Sequence, residues 1–444
     1  MENYQQIFED QTPESRKLYQ RSSRVIPGGV CHNLRYNPPY PIFVARAKGP
    51  YVWDADGNRY LDFWMGHYAN ILGHSPDFVV QRLQELLAQG NLHHGQVNPL
   101  EVELAELACE LIPSAEKIRF CCTGTEATMY AVRLARAYTG RRHIIKIQGG
   151  WHGANDSLLT DTFAPFDQPD SLGLIPEMTK HVSALTFNDT EAARQMIRRL
   201  GNDLAAVIME PVVGSGGFIP ADMEFLTTVR QETEAAGALL IFDEIISGFR
   251  VALGGAQQLF GVLPDMTLLG KVLGGGMPAG AIAGRADIMD FCNLRLRPHK
   301  YERAMAGGGT FSCLPMSMAA GICTLNYLKQ HAAEVYPKLA AMGNSLRTRI
   351  EQAFASHNIT AKCTGIGSLF MTHFPLQPGT EIRSPYDAYC RADLQRREVE
   401  LKVRLLAKGV YVMHGGGAIS LAHTPEDLEF FVQQMEAVAR EIKL

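Results

Sequence analysis

The feature that most constrains the fold is a regular alternation, from about residue 78 onward, between helical stretches and short apolar segments. Several of these segments are apolar throughout, which is typical of strands that are covered on both faces. Helical stretches such as residues 223–236 separate them and complete βαβ units, so we predict an α/β fold with a mostly parallel sheet flanked by helices. The segments predicted to be strands are residues 117–120, 143–146, 205–209, 238–242 and 266–269.

The regions on either side of this alternation predict a second, smaller domain. A chain of 444 residues is longer than most single domains. Short strand-like segments with turn residues precede the alternation, and a long helical region with further strand-like segments follows it. We therefore predict an N-terminal segment at residues 1–75, a large domain at residues 76–315 and a C-terminal small domain at residues 316–444, with the N-terminal segment joining the small domain.

The composition argues against several functional classes. A net charge of −4 offers no basic surface for nucleic acid or an anionic membrane. No apolar run approaches the roughly 18 residues that cross a bilayer, and the polar N-terminus does not resemble a secretory signal. The nine cysteines include no C-x-x-C pair, so we expect neither a zinc site nor a disulfide framework. The pattern favours free thiols in a reducing cytoplasm.

Residues at the ends of the predicted strands carry the candidate chemistry, because open parallel sheets bind ligands beyond the carboxyl ends of their strands. The first strand runs into Thr123, Gly124 and Thr125, which open a helix. Backbone N–H groups at such a helix start favour a phosphate. The same residues also fit an ordinary N-cap, with a capping box between Thr123 and Glu126. The motif alone leaves both interpretations open.

Two carboxylates and a lysine follow later strands. Glu210 and Asp243 end apolar runs, where a carboxylate is costly unless something pairs with it, although each alone also fits a helix cap. Lys271 precedes the glycines 274–276, and a desolvated lysine there can react with a carbonyl. Taken alone, Lys271 also fits a solvated loop residue. Together, a phosphate cradle, a carboxylate and a reactive lysine are what pyridoxal 5'-phosphate (PLP) requires of a protein.

The order of these motifs resembles the class III (ω-type) aminotransferases of PLP fold type I over most of the chain. The segments 26–30, 249–257 and 269–276 are similar to the glutamate-1-semialdehyde aminomutase branch of that family. The resemblance implies a mostly parallel, seven-stranded type of sheet, a smaller α+β domain from both termini, and a homodimer with shared active sites. The motifs that carry it are Thr123-Gly-Thr, Gly150-Trp-His-Gly153, Glu210-Pro, Asp243-Glu-x-x-x-Gly-Phe-Arg250, Gly270-Lys271 and Gly309-Thr310.

The resemblance also implies roles around the cofactor ring. Lys271 would form a Schiff base with PLP, and Asp243 would pair with the pyridine nitrogen. Trp151 would stack on one face of the ring while Ile245 packs on the other. His152 would lie close by and support the cofactor hydroxyl and the lysine region.

Further positions are assigned to the phosphate and its surroundings. Gly124 and Thr125, next to Thr123, would hold the phosphate through backbone and hydroxyl groups. Thr310 of the partner subunit would reach the same phosphate. Glu210 would lie near the lysine and give support similar to that of His152.

The resemblance identifies Arg35 as the residue that binds the substrate carboxylate, and a planar guanidinium suits that task. The aminomutase pattern is interrupted, however, around Arg35 and again at residues 412–418, where the chain has a glycine-rich loop and lacks an acidic residue. An arginine together with such a loop resembles the aminotransferases for β-amino acids and D-arylglycines. Trp64, His67 and Tyr68 are candidates to line an apolar pocket, or belong to the core.

Our hypothesis is therefore transamination between a carboxylate-bearing amino acid, β- or D-configured and aromatic or apolar, and a 2-oxo acid such as 2-oxoglutarate. One alternative is an isomerase, either glutamate-1-semialdehyde 2,1-aminomutase or an amino-acid racemase of the same fold. Another is a protein that binds PLP or phosphate without catalysis. The presence of Lys271, Asp243 and Thr310 together argues against this last alternative.

Overall fold

The computed structural model describes residues 2–442, with side chains described from residue 4 onward. Its strands, β1 to β16 in chain order, are Val44–Lys48, Tyr51–Asp54, Arg59–Asp62, Lys117–Cys121, His143–Ile147, Val182–Leu185, Leu204–Met209, Val212–Val213, Ile219–Pro220, Leu239–Asp243, Met266–Gly270, Gly280–Gly284, Lys362–Thr364, Leu369–His373, Val410–Tyr411 and Gly416–Ala418. Its α-helices, α1 to α16, are Glu2–Gln11, Pro13–Ser22, Met65–Tyr68, Asp77–Ala88, Pro99–Leu111, Gly124–Thr139, Pro176–Thr179, Thr190–Leu200, Met223–Ala235, Gly255–Phe260, Ala286–Met289, Pro315–Gln330, Ala332–Ala355, Pro385–Cys390, Lys402–Ala407 and Pro425–Ile442.

A seven-stranded sheet organises the middle of the chain, in the order β4-β12-β11-β10-β7-β5-β6. β12 runs antiparallel to its neighbours β11 and β4, and the other pairs are parallel. β7, β10 and β11 are buried at every position, as expected for strands with both faces covered. The six parallel strands therefore end at one common edge. This sheet confirms the predicted α/β class.

Helices cover both faces of this sheet. On one face, Ile144 packs in a core with Leu134 of α6. On the other face, Ile145 packs in a second core with Phe225 of α9. Neighbouring residues of β5 thus enter different cores, because side chains alternate along a strand. The strand ends are held between two packed layers and form a rigid base for a site.

Smaller sheets join the two ends of the chain. β15 pairs in parallel with β3 and completes a four-stranded sheet in the order β1-β2-β3-β15. β13, β14 and β16 form a separate antiparallel sheet. Phe63, Phe370 and Phe431 pack against one another between these elements and α16. The predicted α+β part built from both termini is confirmed, whereas the domain boundaries after residues 75 and 315 stay predictions.

Two glycine-rich strands differ from what the sequence predicts. The prediction of a loop at residues 415–417 is wrong, because Gly416 and Gly417 lie in β16. A Cβ on Gly417 would lie 2.5 Å from the Cβ of Phe63, and one on Gly280 in β12 would lie 2.6 Å from the carbonyl oxygen of Thr123. Glycine weakens strand propensity but allows such close approach, so these strands carry little sequence signal. Among the helices of residues 2–442, none combines the length and apolar character needed to cross a bilayer.

Candidate active site

The carboxyl edge of the seven-stranded sheet brings together most of the predicted site residues. Asp243 is the last residue of β10, Glu210 follows β7 and Lys271 follows β11. Thr123 follows β4, at the same edge. The register pairs Asp243 with Leu268, three residues before Lys271. A carboxylate and an amine therefore leave adjacent strands on the side where this class of sheet binds ligands.

The start of α6 contains Thr123, Gly124 and Thr125, whose binding of a phosphate stays a prediction. The Thr123 hydroxyl accepts a hydrogen bond from the Glu126 amide at 3.2 Å, and the Glu126 carboxylate accepts one from the Thr123 amide at 3.1 Å. The N-cap interpretation is thus correct, but a capping box leaves the amides of Gly124 and Thr125 without acceptors inside the helix. A Cβ on Gly124 would lie 2.5 Å from Cδ1 of Ile245, so Ile245 packs there only because position 124 is glycine. The cap is therefore compatible with the predicted phosphate site, because it leaves these two amides available.

A buried histidine–carboxylate pair lies beside this turn. His152 Nδ1 is 2.8 Å from Asp243 Oδ2, and the Ile245 amide donates to Asp243 Oδ1 at 3.2 Å. Burial lowers the pKa of His152, against the opposing effect of Asp243, so the imidazole is neutral near pH 7. Its Nε2 atom is buried and has no hydrogen-bond partner among the described residues. A buried nitrogen of this kind is a polar group that a ligand can pair with.

Glu210 fixes the segment that carries Trp151. Its carboxylate accepts hydrogen bonds from the amides of Trp151 and Gly214, both at 2.9 Å. Burial, followed by the neighbouring Asp243, raises the pKa of Glu210. The Trp151 indole is partly exposed and lies against Phe163, with ring centroids 5.9 Å apart. Glu210 thus holds the backbone of Trp151 in place, and the Trp151 ring lies on the solvent-exposed side of the site.

Lys271 occupies a strained backbone position at the end of β11. Its φ of +48° lies in the left-handed region, which lysine rarely adopts and which concentrates at functional sites. Desolvation lowers the pKa of its amine, whereas the charges of Asp243 and Glu210 act in the opposite direction. A lowered pKa makes the neutral amine, the form that attacks a carbonyl carbon, available nearer to neutral pH. The alternative of a solvated loop lysine does not describe this side chain.

Thr310 lies on an exposed turn outside the sheet edge. The Ser312 amide closes this turn on the Gly309 carbonyl at 3.0 Å, and a Cβ on Gly309 would lie 3.0 Å from Glu126 Oε1. The turn is therefore close to the start of α6 in its own chain. The predicted contact of Thr310 with the cofactor of a partner subunit stays a prediction.

Arg35 lines a cavity of about 410 Å³ together with Trp64 and Gly66. Burial lowers the pKa of His67 to about 3, and the charges of Lys271 and Arg35 contribute to this shift. The same imidazole is thus influenced by the lysine at the sheet edge and by Arg35. The structure brings Arg35 into the surroundings of the site.

The segment Met65–Tyr68 forms a left-handed turn that sequence patterns did not indicate. Met65, Gly66, His67 and Tyr68 all have positive φ, with values between 47° and 68°. Consecutive residues with side chains rarely adopt this conformation, so it must be maintained by the surrounding structure. Trp64 Nε1, His67 Nε2 and the Tyr68 hydroxyl are buried without partners among the described residues. Of the three residues predicted to line an apolar pocket, Trp64 lines the cavity with Arg35, whereas the core alternative holds for Tyr68, which is buried against Phe218.

A buried charged cluster near this pocket was missed by sequence reasoning. Glu398 Oε2 lies 2.9 Å from His414 Nδ1, and Arg397 Nε donates to Glu398 Oε1 at 2.9 Å. Burial acts to raise the pKa of Glu398, but His414 and Arg397 outweigh it and hold the pKa at about 2. The charge of His414 also lowers the pKa of His67, and Glu398 lines a cavity with Leu34. Glu398 and His414 come close to this region only because the C-terminal elements pack against residues 33–38.

Lys146 supports the site from inside the sheet. Its ammonium is buried and donates hydrogen bonds to the Leu158 carbonyl at 2.9 Å, the Thr160 carbonyl at 2.7 Å and the Thr162 hydroxyl at 2.8 Å. Desolvation lowers the pKa of Lys146 to about 8. Lys146 therefore fixes the loop that follows the Trp151 segment.

We expect Lys146→Met to lower the free energy of unfolding by about 1–3 kcal/mol, because buried acceptors lose their donor. Urea unfolding of the holoenzyme at pH 7 measures the change. The pKa of Lys146 is lower in the folded chain than in the unfolded chain. Between about pH 8 and the ordinary pKa of lysine, the unfolded chain therefore binds more protons. In this range the free energy of unfolding of the wild type increases as the pH rises. The variant should lack this gain, and equal pH dependence of both proteins would contradict the assignment.

The edge as a whole offers a helix start for a phosphate, a buried carboxylate for a protonated ring nitrogen and an amine for a carbonyl carbon. The carboxylate is Asp243, the amine belongs to Lys271, and the helix start is that of α6. These donors match the functional groups of PLP, and the orphan Nε2 of His152 lies next to the carboxylate. The residues therefore fit this cofactor.

Comparisons with known proteins agree with this geometry. The family model described as aminotransferase class-III matches residues 33–435. Glutamate-1-semialdehyde 2,1-aminomutase from Methanosarcina acetivorans is 38% identical over 422 residues, which cover 94% of this chain and 96% of that protein. A β-phenylalanine aminotransferase from Variovorax paradoxus has a TM-score of 0.87 and 33% identity, covering 98% of this chain and 95% of the other. A transaminase solved with PLP bound has a TM-score of 0.87 and 31% identity, covering 97% and 98% of the two chains.

Proposed function

Because the chain belongs to the class-III aminotransferases, which are PLP-dependent enzymes, we propose that it moves an amino group between a carboxylate-bearing amino acid and a 2-oxo acid. The observation that carries this proposal is the pairing of Glu398 with Arg397 and His414, in a cavity whose lining residues Leu34 and Tyr36 flank Arg35 in the chain. The Glu398 carboxylate is already paired, while the Arg35 guanidinium lines the neighbouring cavity of about 410 Å³. Such a pocket favours a carboxylate over a second ammonium group. Donors of β- or D-configuration with aromatic or apolar side chains are the first candidates.

PLP, when bound, supplies an aldehyde that condenses with amines and a pyridinium ring that accepts electrons from the adjacent carbon. In our proposal Asp243 keeps the proton on the ring nitrogen, and His152 holds that carboxylate in position. The amides of Gly124 and Thr125 at the start of α6 bind the phosphate. Trp151 and Ile245 enclose the ring in this proposal. Ile245 can pack against the start of α6 because position 124 is glycine.

Lys271 has two tasks in this proposal. Its amine would hold the aldehyde of bound PLP, and as a free amine Nζ would take up and return the proton of the donor carbon. Desolvation favours the neutral amine that both tasks need. Asp243 and Glu210 limit the shift and keep the amine able to take up a proton.

We also propose a homodimer in which Thr310 of the partner subunit completes the phosphate site. Residues 294–311 expose several large apolar side chains, which is costly for a surface that stays in water. These side chains are Leu294, Leu296, Tyr301, Met305 and Phe311. Sedimentation of the holoenzyme at micromolar concentration is expected to give the mass of two chains.

A panel of amino donors tests the reaction. The holoenzyme is mixed with single donors, covering α- and β-amino acids of both configurations, and conversion of the cofactor to its amine form is followed by absorbance. We expect β- or D-configured aromatic or apolar donors to convert it, and 2-oxoglutarate to restore the starting spectrum. If only glutamate 1-semialdehyde or its diamino analogue converts the cofactor, the proposal is wrong.

Glutamate-1-semialdehyde 2,1-aminomutase is a second candidate, because a relative with that name is 38% identical along 94% of this chain. An aminomutase returns its amino group to the same carbon skeleton and needs no added oxo acid. Product analysis without an oxo acid therefore separates the two functions. Stoichiometric formation of an isomer favours the aminomutase, and a single half-turnover favours the transferase.

We expect Arg35→Gln to raise KM for the carboxylate donor by roughly 10- to 100-fold. This is the effect of losing a charge-assisted hydrogen bond, which contributes about 1.5–3 kcal/mol. The value of kcat should change much less, because the guanidinium holds the substrate and moves no proton. Arg46→Gln is the matched control, since Arg46 stacks on Trp53 at 3.9 Å instead of lining the cavity with Arg35. Equal KM values for both variants would exclude Arg35 as the carboxylate-binding residue.

A further inference from the structure

Three potential metal ligands meet at the edge of the sheet opposite the proposed active site. His143 is the first residue of β5, His181 directly precedes β6 and Asp203 directly precedes β7. The sheet places β5 between β7 and β6, and all three strands are parallel. Side chains from the amino ends of neighbouring strands therefore converge at one corner of the sheet. Nothing in the proposed transamination uses them.

The distances among these groups suit a shared ion better than a direct bond. One donor atom from each of the three side chains lies within 4.8 Å of the other two. His143 Nδ1 and Asp203 Oδ2 are 3.9 Å apart, which is too long for a hydrogen bond. Two ligand atoms that are each about 2.0–2.2 Å from a tetrahedral Zn²⁺ lie about 3.3–3.6 Å apart. The 3.9 Å between His143 and Asp203 exceeds this by a few tenths of an ångström, which a small side-chain rotation closes.

A hydrogen bond with Ser183 orients the imidazole of His143, which belongs to the middle one of the three strands. His143 Nε2 is 2.9 Å from the Ser183 hydroxyl on β6. With the Nε2 proton directed at Ser183, the lone pair of Nδ1 faces Asp203, as in metal sites where an outer partner fixes the imidazole. A register irregularity between His143 and Ile144 accompanies this arrangement. The His143 and His181 rings stand at 84° to each other, with centroids 6.3 Å apart.

Charged and titratable side chains surround His143 at this corner of the sheet. They are Asp203, His181, Arg136 and Arg199. The guanidinium of Arg136 donates to the Arg142 carbonyl at 2.9 Å, so it is engaged with backbone.

We propose that His143, His181 and Asp203 bind one divalent transition-metal ion of the zinc type, with water completing its coordination. Two imidazoles and one carboxylate are a donor set that suits Zn²⁺ in preference to Mg²⁺ or Ca²⁺. The ion links β6, the edge strand of the sheet, to β5 and β7, so its role is structural. The cysteine pattern predicted no zinc site, and this one uses no cysteine.

Zinc counting on chelator-treated holoenzyme tests the proposal, with a fluorescent chelator as competitor. Wild type is expected to bind one zinc equivalent per chain more than His181→Ala or Asp203→Asn. His357→Ala is the control, because His357 follows α13, outside both the corner and residues 294–311, and should leave the count unchanged. All four proteins carry the same cysteines, so binding by thiols cancels in the comparison.

Thermal unfolding supplies a second readout. Zinc should raise Tm of wild type and of His357→Ala but not of the two site variants, because an ion that binds only the folded chain stabilises it. Circular dichroism and the amino-transfer rate should match wild type in every variant, since the corner is remote from the proposed active site. Equal zinc counts in all four proteins, or no zinc-dependent Tm shift in wild type, would overturn the proposal.

Discussion

Lys271→Ala is expected to abolish the absorbance of lysine-bound PLP and to reduce amino transfer by at least about 10²–10⁴-fold, the usual contribution of a general base. Alanine removes both the amine that binds the aldehyde and the group that moves the proton. The helix start of α6 and Asp243 remain, so the variant should still bind PLP without a covalent bond. Absorbance spectra and single-turnover rates on purified protein measure both effects.

Lys402→Met is the matched control for this variant. Lys402 is also partly buried, and desolvation lowers its pKa to about 8, but it lines a different cavity together with Glu398 and Leu34. The control should keep the absorbance of lysine-bound cofactor. If Lys271→Ala keeps that absorbance and Lys402→Met loses it, the lysine has been misassigned.

Asp243→Asn is expected to lower kcat by about 10²–10³-fold, the typical cost of removing one preorganised electrostatic contact. Asparagine has nearly the same shape and can still accept the bond from the Ile245 amide, so the fold should persist. The charge that keeps the ring nitrogen protonated is lost. Because Asp243 raises the pKa of Lys271, its removal should also move the acid side of the pH profile for PLP uptake by the apoenzyme to lower pH.

Glu244→Gln is the control, because adjacent residues at the end of a strand point in opposite directions. Glu244 is buried away from the site, where it accepts hydrogen bonds from the Ser247 hydroxyl at 2.9 Å and the Gln257 amide at 3.2 Å. This variant should lose stability while its folded holoenzyme keeps kcat. A kcat for Asp243→Asn within a few-fold of wild type would remove Asp243 from the mechanism.

Asp243 and Glu244 show how much of the site could be predicted from the sequence. The apolar run before position 243 placed a carboxylate at the sheet edge, and it left a helix cap as the alternative. The structure assigns the two roles to different residues, since Glu244 accepts from the first amides of α10 while Asp243 pairs with His152. Which of two adjacent carboxylates faces the site depends on strand register, and register is set by pairing with other segments.

The pocket was less predictable than the cofactor site. The cofactor residues follow strands, so their position is dictated by a local pattern and one topological rule. His67 instead depends on a left-handed turn, and Glu398 depends on contacts between segments far apart in the chain. Strained turns and long-range ion pairs have no periodicity for a sequence pattern to reveal.

The most direct test of the account is to trap the lysine that holds PLP. Borohydride reduction of the holoenzyme converts the lysine–cofactor bond into a stable amine, and peptide mass spectrometry then locates the pyridoxyl group. The account predicts that this group lies on Lys271, with unmodified Lys146 and Lys402, the other buried lysines of lowered pKa. Its appearance on either of those lysines, or on none, would contradict the central claim.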